Sequence, residues 1–138
     1  MKVLMINEGA LTDMEVLQLM QERKEQRLHK AANAAYAERN WMDHKVVKFL
    51  SHSHARRPTR DLRRVEDFIH ALRHAGLALS PSETLQFINH CPTELVDIHL
   101  IVEDCAGRFS EEQISELLRI VETTLAAESK PVEPAPDQ

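Results

Sequence analysis

Apolar residues along the chain return mostly every three or four positions, the interval that gathers side chains on one face of an α-helix. After Thr12, the set Val16, Leu17, Leu19, Met20 and Leu28 forms a stripe that is broad at first and then runs into the polar stretch QERKEQR. The pattern predicts a helix that buries only its first half. A second helix is expected from Trp41 to about Ser51, with Met42, Val46, Phe49 and Leu50 on one side. Between them HKAANAAYAERN fits a helix and a linker equally. A third helix, from about Arg60 to Ala75, carries Leu62, Val65, Ile69 and Leu72 at core-facing intervals. Gly76 should supply its left-handed stop, and Leu77 the apolar residue that follows. A short fourth, Pro81 to Asn89, shows Leu85 and Ile88. The fifth, about Thr93 to Asp104, is apolar on most sides and is expected at the buried centre. A sixth presents Ile114, Leu117, Leu118, Val121 and Leu125 on one face.

Three helix starts are spelled out locally. TDME (Thr12 to Glu15), SPSE (Ser80 to Glu83) and SEEQ (Ser110 to Gln113) each place a hydroxyl three residues before Glu or Gln. In such a capping box the hydroxyl accepts from an unpaired first-turn amide while the longer side chain reaches back. Pro81 would occupy the first helical position, where its missing N–H costs nothing. The one candidate strand is Val3, Leu4, Met5 and Ile6, apolar on both alternating faces. A lone strand cannot satisfy its own backbone, so these residues either add to a partner's sheet or lie along the bundle.

With 138 residues and three glycines, the chain fits one aliphatic, helix-rich domain. Two cysteines, no apolar run long enough to span a bilayer, and an opening MKVLMI too short for a signal peptide lead to the expectation of a soluble protein in a reducing compartment. The net charge of −5 hides a segregation. Lys45 to Arg64 holds seven Lys or Arg against Asp61, whereas Glu94 to the C-terminus holds eleven acids against three cations. Arg56, Arg57, Arg60, Arg63 and Arg64 could meet a phosphate backbone or an acidic protein, or simply form a solvated face. No aromatic interleaves with them, which leaves base stacking unsupported.

Two histidine groupings invite a metal reading. His90 and Cys91 are adjacent, but His99 and Cys105 lie six apart, about 240° around a helix, and point away from one another. FINHCPTELVDIHLIVEDC therefore reads as a helix–turn–helix connection, with Asn89 closing one helix and Pro92, Thr93 and Glu94 opening the next. His70 and His74 are four apart on one helix, yet they fall far from the apolar stripe and beside Arg63, which favours a solvated basic surface over a zinc site. No phosphate loop, no G-x-S-x-G and no histidine next to a nucleophile is present. No cofactor or catalytic residue is assigned, and a zinc-dependent nucleic-acid enzyme built on His70 and His74 is the weakest alternative.

Two blocks, Glu8 to Arg27 (EGALTDMEVLQLMQERKEQR) and Thr84 to Val121 (TLQFINHCPTELVDIHLIVEDCAGRFSEEQISELLRIV), resemble the small stalk subunit of RNA polymerase III, the family also called calcitonin gene-related peptide receptor component protein. The blocks cover a little under half of the chain. The resemblance implies an all-α fold: a small helical bundle of the HRDC-like type behind a short N-terminal strand or extended segment that pairs with a partner. It divides the chain into a docking segment (1–30), a linker (31–40), the helical domain (41–127) and an acidic, proline-rich tail (128–138). It further implies a non-catalytic nuclear subunit that forms a heterodimeric stalk with a larger subunit, projects from the polymerase core and helps recruit initiation factors. RNA binding would fall to the larger subunit, so nucleic acid is at most an indirect partner of this chain, and a membrane is none. Carried onto this sequence, Ala10, Leu11, Val16, Leu17, Leu19 and Met20 would contribute to the partner interface, and the lone apolar strand Val3, Leu4, Met5 and Ile6 would complete it. The family's second name keeps a receptor-associated signalling adaptor open as the alternative.

Overall fold

The computed structural model describes residues 9–28, 37–51 and 62–126. These form seven helices: α1 (Asp13–Leu28), α2 (Ala37–Ser51), α3 (Leu62–His74), α4 (Pro81–His90), α5 (Leu95–Ile101), α6 (Cys105–Arg108) and α7 (Glu111–Thr124). The fold is all-α, with no strand among the described residues. Val3 to Ile6, residues 31–36, Arg56, Arg57, Arg60 and the tail from 128 onward lie outside them.

The three capping boxes form where the sequence puts them. The Thr12 amide donates to the Glu15 carboxylate at 2.7 Å, and the Glu15 amide donates back to the Thr12 hydroxyl at 3.3 Å. Ser80 and Ser110 make the same exchange with Glu83 and Gln113, and Pro81 stands in the first turn. At the end of α3, Gly76 has φ +68°, and the Leu77 amide closes onto the Leu72 carbonyl at 3.0 Å. That left-handed stop drives Leu77 into the core.

The core is made by α3, α4, α5 and α7. Phe68, Phe87, Ile98, Leu117 and Val121 are fully buried, with Val65, Leu72, Ile88, Val102, Ile114, Ile120 and Leu125 around them. The rings of Phe68 and Phe87 stack with centroids 6.2 Å apart and planes 26° off parallel. α7 packs along α3, and the fully buried pair Leu117 and Val121 puts the centre of the domain on this last helix.

The fifth helix differs from the sequence-based expectation. It runs for seven residues, not twelve, and is not the buried centre. Val102 turns extended (φ −90°, ψ 122°), Asp104 is left-handed (φ +47°), and α6 starts at Cys105. Gly107 fits here because a Cβ would collide with the Asp104 carboxylate. Leu95, Val96 and Leu100 are consequently exposed, while Ile98 and Val102 enter the core. On α3 the inward face is Val65, Phe68 and Leu72 with Ile69 at its edge, and Leu62 is exposed at the first position. Leu85 on α4 is only half-buried, Phe87 being the residue that fills the centre. α2 starts at Ala37, four residues before the expected Trp41, and packs against α1. On α2, Met42, Val46, Phe49 and Leu50 fall on one side, with Val46 and Leu50 half-buried and Met42 and Phe49 exposed along its edge.

Two cross-links tie the pieces together. Glu83, 6% exposed, accepts from Arg108 at 2.5 Å, from the Ser80 amide at 2.7 Å and from the Glu103 amide at 3.1 Å. Arg108 also donates to the Ala78 and Glu103 carbonyls, so one ion pair joins the α3–α4 connection, the start of α4 and the turn after α5. The second cross-link is Asn89, whose side-chain carbonyl accepts the Asp13 amide at 3.0 Å, across 76 residues of sequence. It gives a first-turn amide of α1 the partner that the helix itself cannot provide. Asn89→Ala is expected to cost about 1 kcal/mol, read as faster hydrogen exchange at Asp13 without a change at Val121.

Candidate partner interface

The α1–α2 pair is where apolar surface and structure fall out of balance. On α1, Met14, Val16, Leu17, Leu19 and Met20 are half-buried, and Gln21 to Gln26 are exposed throughout. On α2, Val46, Val47 and Leu50 are half-buried and no residue is buried at all. Trp41, at 60% exposure, lies opposite Leu50 on α2, and exposed Met42 and Phe49, the latter at 72%, lie along the edge of the half-buried side. Lys45 Nζ sits 5.4 Å from the Trp41 ring, holding a cation over an aromatic face that water otherwise covers. None of these apolar residues belongs to the core cluster.

Helices fixed in place without a buried side chain are weakly supported. Ordering each residue costs about 1–2 kcal/mol, and burial returns about 25 cal/mol per Å² of apolar surface removed from water. A helix that is apolar on both sides usually lies between two neighbours. α2 has α1 on one side, and its aromatic side is open. Leu11, half-exposed just ahead of the Thr12 cap, and exposed Ala10 continue this surface toward the N-terminus.

The expected interface residues thus separate. Val16, Leu17, Leu19 and Met20 share α1, and Ala10 and Leu11 precede it. Val3, Leu4, Met5 and Ile6 lie outside the described residues. Trp41, Met42 and Phe49 were expected on the second helix but not at the interface, although apolar residues on more than one side of α2 were the available signal. Of the arginine run, Arg63 is exposed and Arg64 half-buried on the first turn of α3; Arg56, Arg57 and Arg60 lie outside the described residues.

The candidate metal residues do not converge. His70 and His74 are exposed on α3, His90 ends α4, and His99 is exposed on α5. Cys91 and Cys105 are buried thiols that are not joined in a disulfide. Cys91 adopts the left-handed conformation (φ +44°) that ends α4 and donates its thiol to the Ile88 carbonyl at 3.5 Å. Burial pushes the Cys105 thiol above its ordinary pKa, away from the reactive thiolate. Among the described residues, no three His, Cys, Asp or Glu side chains are grouped to hold a metal. A shallow groove between α3 and α4 is lined by Ile69, Leu72, Arg73, Leu77, Leu79 and Thr84. The Thr84 hydroxyl there donates to the Ser80 carbonyl, so it acts as a helix-start bond. No helix among the described residues is long and apolar enough to cross a membrane.

Comparison with known proteins identifies the family. A stretch of 43 residues is 42% identical to the DNA-directed RNA polymerase III subunit RPC9 of Saccharomyces cerevisiae (strain ATCC 204508 / S288c). It covers 31% of this chain and 27% of that protein, so the match spans little more than a quarter of the yeast subunit. The family model described as RNA polymerase Rpb4 matches residues 10–125, from just before the Thr12 cap to Leu125, the core residue that follows α7. The chain therefore belongs to the RNA polymerase Rpb4 family, whose members are non-catalytic subunits of the polymerase.

Proposed function

We propose that the chain is the small stalk subunit of RNA polymerase III, joined to a larger stalk subunit through its N-terminal part. In this reading α1 and α2 form one docking unit with the residues that precede them. Val3, Leu4, Met5 and Ile6 add to the larger subunit's sheet, and Ala10, Leu11, Val16, Leu17, Leu19 and Met20 seat against it, with Trp41, Met42 and Phe49 as a second apolar edge. The bundle α3–α7 is carried beside the polymerase core, in the nucleus, as a surface for initiation factors. The carrying observation is that α1 and α2 hold no buried side chain among those described, while α2 exposes Trp41 and Phe49. Membership of the Rpb4 family and the local likeness to a subunit named for RNA polymerase III support the choice of complex.

The test is the double variant Leu17→Asp with Met20→Asp. Two carboxylates driven into an apolar contact each cost several kcal/mol, so binding to the larger stalk subunit should weaken by more than about a hundredfold. Thermal unfolding of the bundle should stay unchanged, since neither residue is in the core. Undiminished co-purification of this variant with the larger subunit would remove α1 from the interface.

A further inference from the structure

The fold leaves a second apolar surface uncovered, on the other part of the molecule. At about 100° per residue, Leu95, Val96, His99 and Leu100 occupy one side of α5, within about 140° of arc. Ile98, on the opposite side, is fully buried. Val96 is 63% and Leu100 80% exposed, so the fold draws nothing from either. We propose that this outward strip of α5 is a docking site for a basic amphipathic helix of a partner protein.

Charge decides the kind of partner. Residues 94–126 contain eight Asp or Glu and only two cations, Arg108 and Arg119. Both arginines are already engaged, Arg108 with Glu83 and Arg119 with Glu116 at 2.6 Å. Glu94 stands at the start of the strip, and Glu103 with Asp104 at its end, all exposed. The extended Val102 and left-handed Asp104 halt α5 there and put the two acids at the C-terminal end of the apolar row. Such a field repels nucleic acid and anionic lipid surfaces. It attracts a helix whose leucine stripe is flanked by lysine or arginine, and the apolar row then gives that helix its contact.

The proposal deepens the part of the stalk reading that offers the bundle to partner proteins, and it is independent of the larger-subunit interface, because α5 shares no residue with the α1–α2 surface. The probe is a synthetic 18-residue helix with leucines at i, i+3, i+4 and i+7 and lysines on both flanks. It is titrated into the full chain while backbone amide shifts are followed. A control peptide keeps the leucines and replaces every lysine with glutamate. The lysine peptide should shift the amides of α5 and bind at least tenfold more tightly than the glutamate peptide. Leu100→Gln should weaken it about tenfold with an unchanged unfolding midpoint, Glu103→Gln should weaken it severalfold, and the Leu17→Asp, Met20→Asp chain should bind it normally. Equal affinity for the two peptides, shifts centred on α2, or indifference to Leu100→Gln would each overturn the proposal.

Discussion

Glu83→Gln lowers the stability of the bundle by about 2–4 kcal/mol at neutral pH, although it alters only one atom of the side chain. The reason is that every partner of Glu83 is a donor: the Arg108 guanidinium and the amides of Ser80 and Glu103. A carboxylate accepts from all of them, whereas an amide turns an N–H₂ group toward one and leaves a buried donor facing a donor. The pH dependence carries the same signature. The Arg108 guanidinium, helped by the two amides and opposed by burial, brings the Glu83 pKa from 4.5 down to about 2. Between those values the unfolded chain binds a proton that the folded chain refuses. The contribution is therefore complete above about pH 4.5 and fades as pH falls toward 2. Solvent around the part-exposed guanidinium limits it to the order of 2 kcal/mol. Denaturant titrations at pH 7 and pH 3 check this: the natural chain should lose about half of that increment by pH 3, where the folded carboxylate is still mostly ionised, and the glutamine variant should lose none from this site.

This ion pair also marks the limit of what the sequence discloses. Glu83 was legible as the far member of a capping box, a relation confined to four residues. That its second oxygen holds Arg108, 25 positions along, depends on the turn after α5, and no local pattern announces that turn. The elements that read correctly are those whose cause is local: the boxes at Thr12, Ser80 and Ser110, and the left-handed stop at Gly76. The half-buried α1 was readable too, because its apolar stripe visibly stops. α5 misled for a physical reason. An apolar run signals that something covers it, without saying whether the cover is the same chain. Leu95, Val96 and Leu100 look like core by composition, yet Asp104 turns the chain and leaves them outside. Likewise the spacing put Met42, Val46, Phe49 and Leu50 on one side of α2, but could not tell that Met42 and Phe49, at its edge, stay exposed.

The same ambiguity can be resolved by experiment, since a residue the fold uses and a residue it holds in reserve respond differently to truncation. Phe87 is fully buried against Phe68, and Phe87→Ala should cost about 3–5 kcal/mol through lost burial and the cavity left beneath the stacked ring. Phe49, equally large, is 72% exposed on a helix without a buried residue, and Phe49→Ala should move the unfolding midpoint by no more than about 0.5 kcal/mol. Binding should invert the order. An exposed aromatic that becomes an anchor in an interface commonly contributes 2 kcal/mol or more, so Phe49→Ala should weaken association with the larger stalk subunit by about thirtyfold. Urea unfolding of the free chain and affinity for the larger subunit, measured on both variants, separate the two roles. If Phe49→Ala destabilises the free chain as much as Phe87→Ala does, then α2 is covered from within. Its aromatic face is then part of the core, and the docking surface must be sought elsewhere.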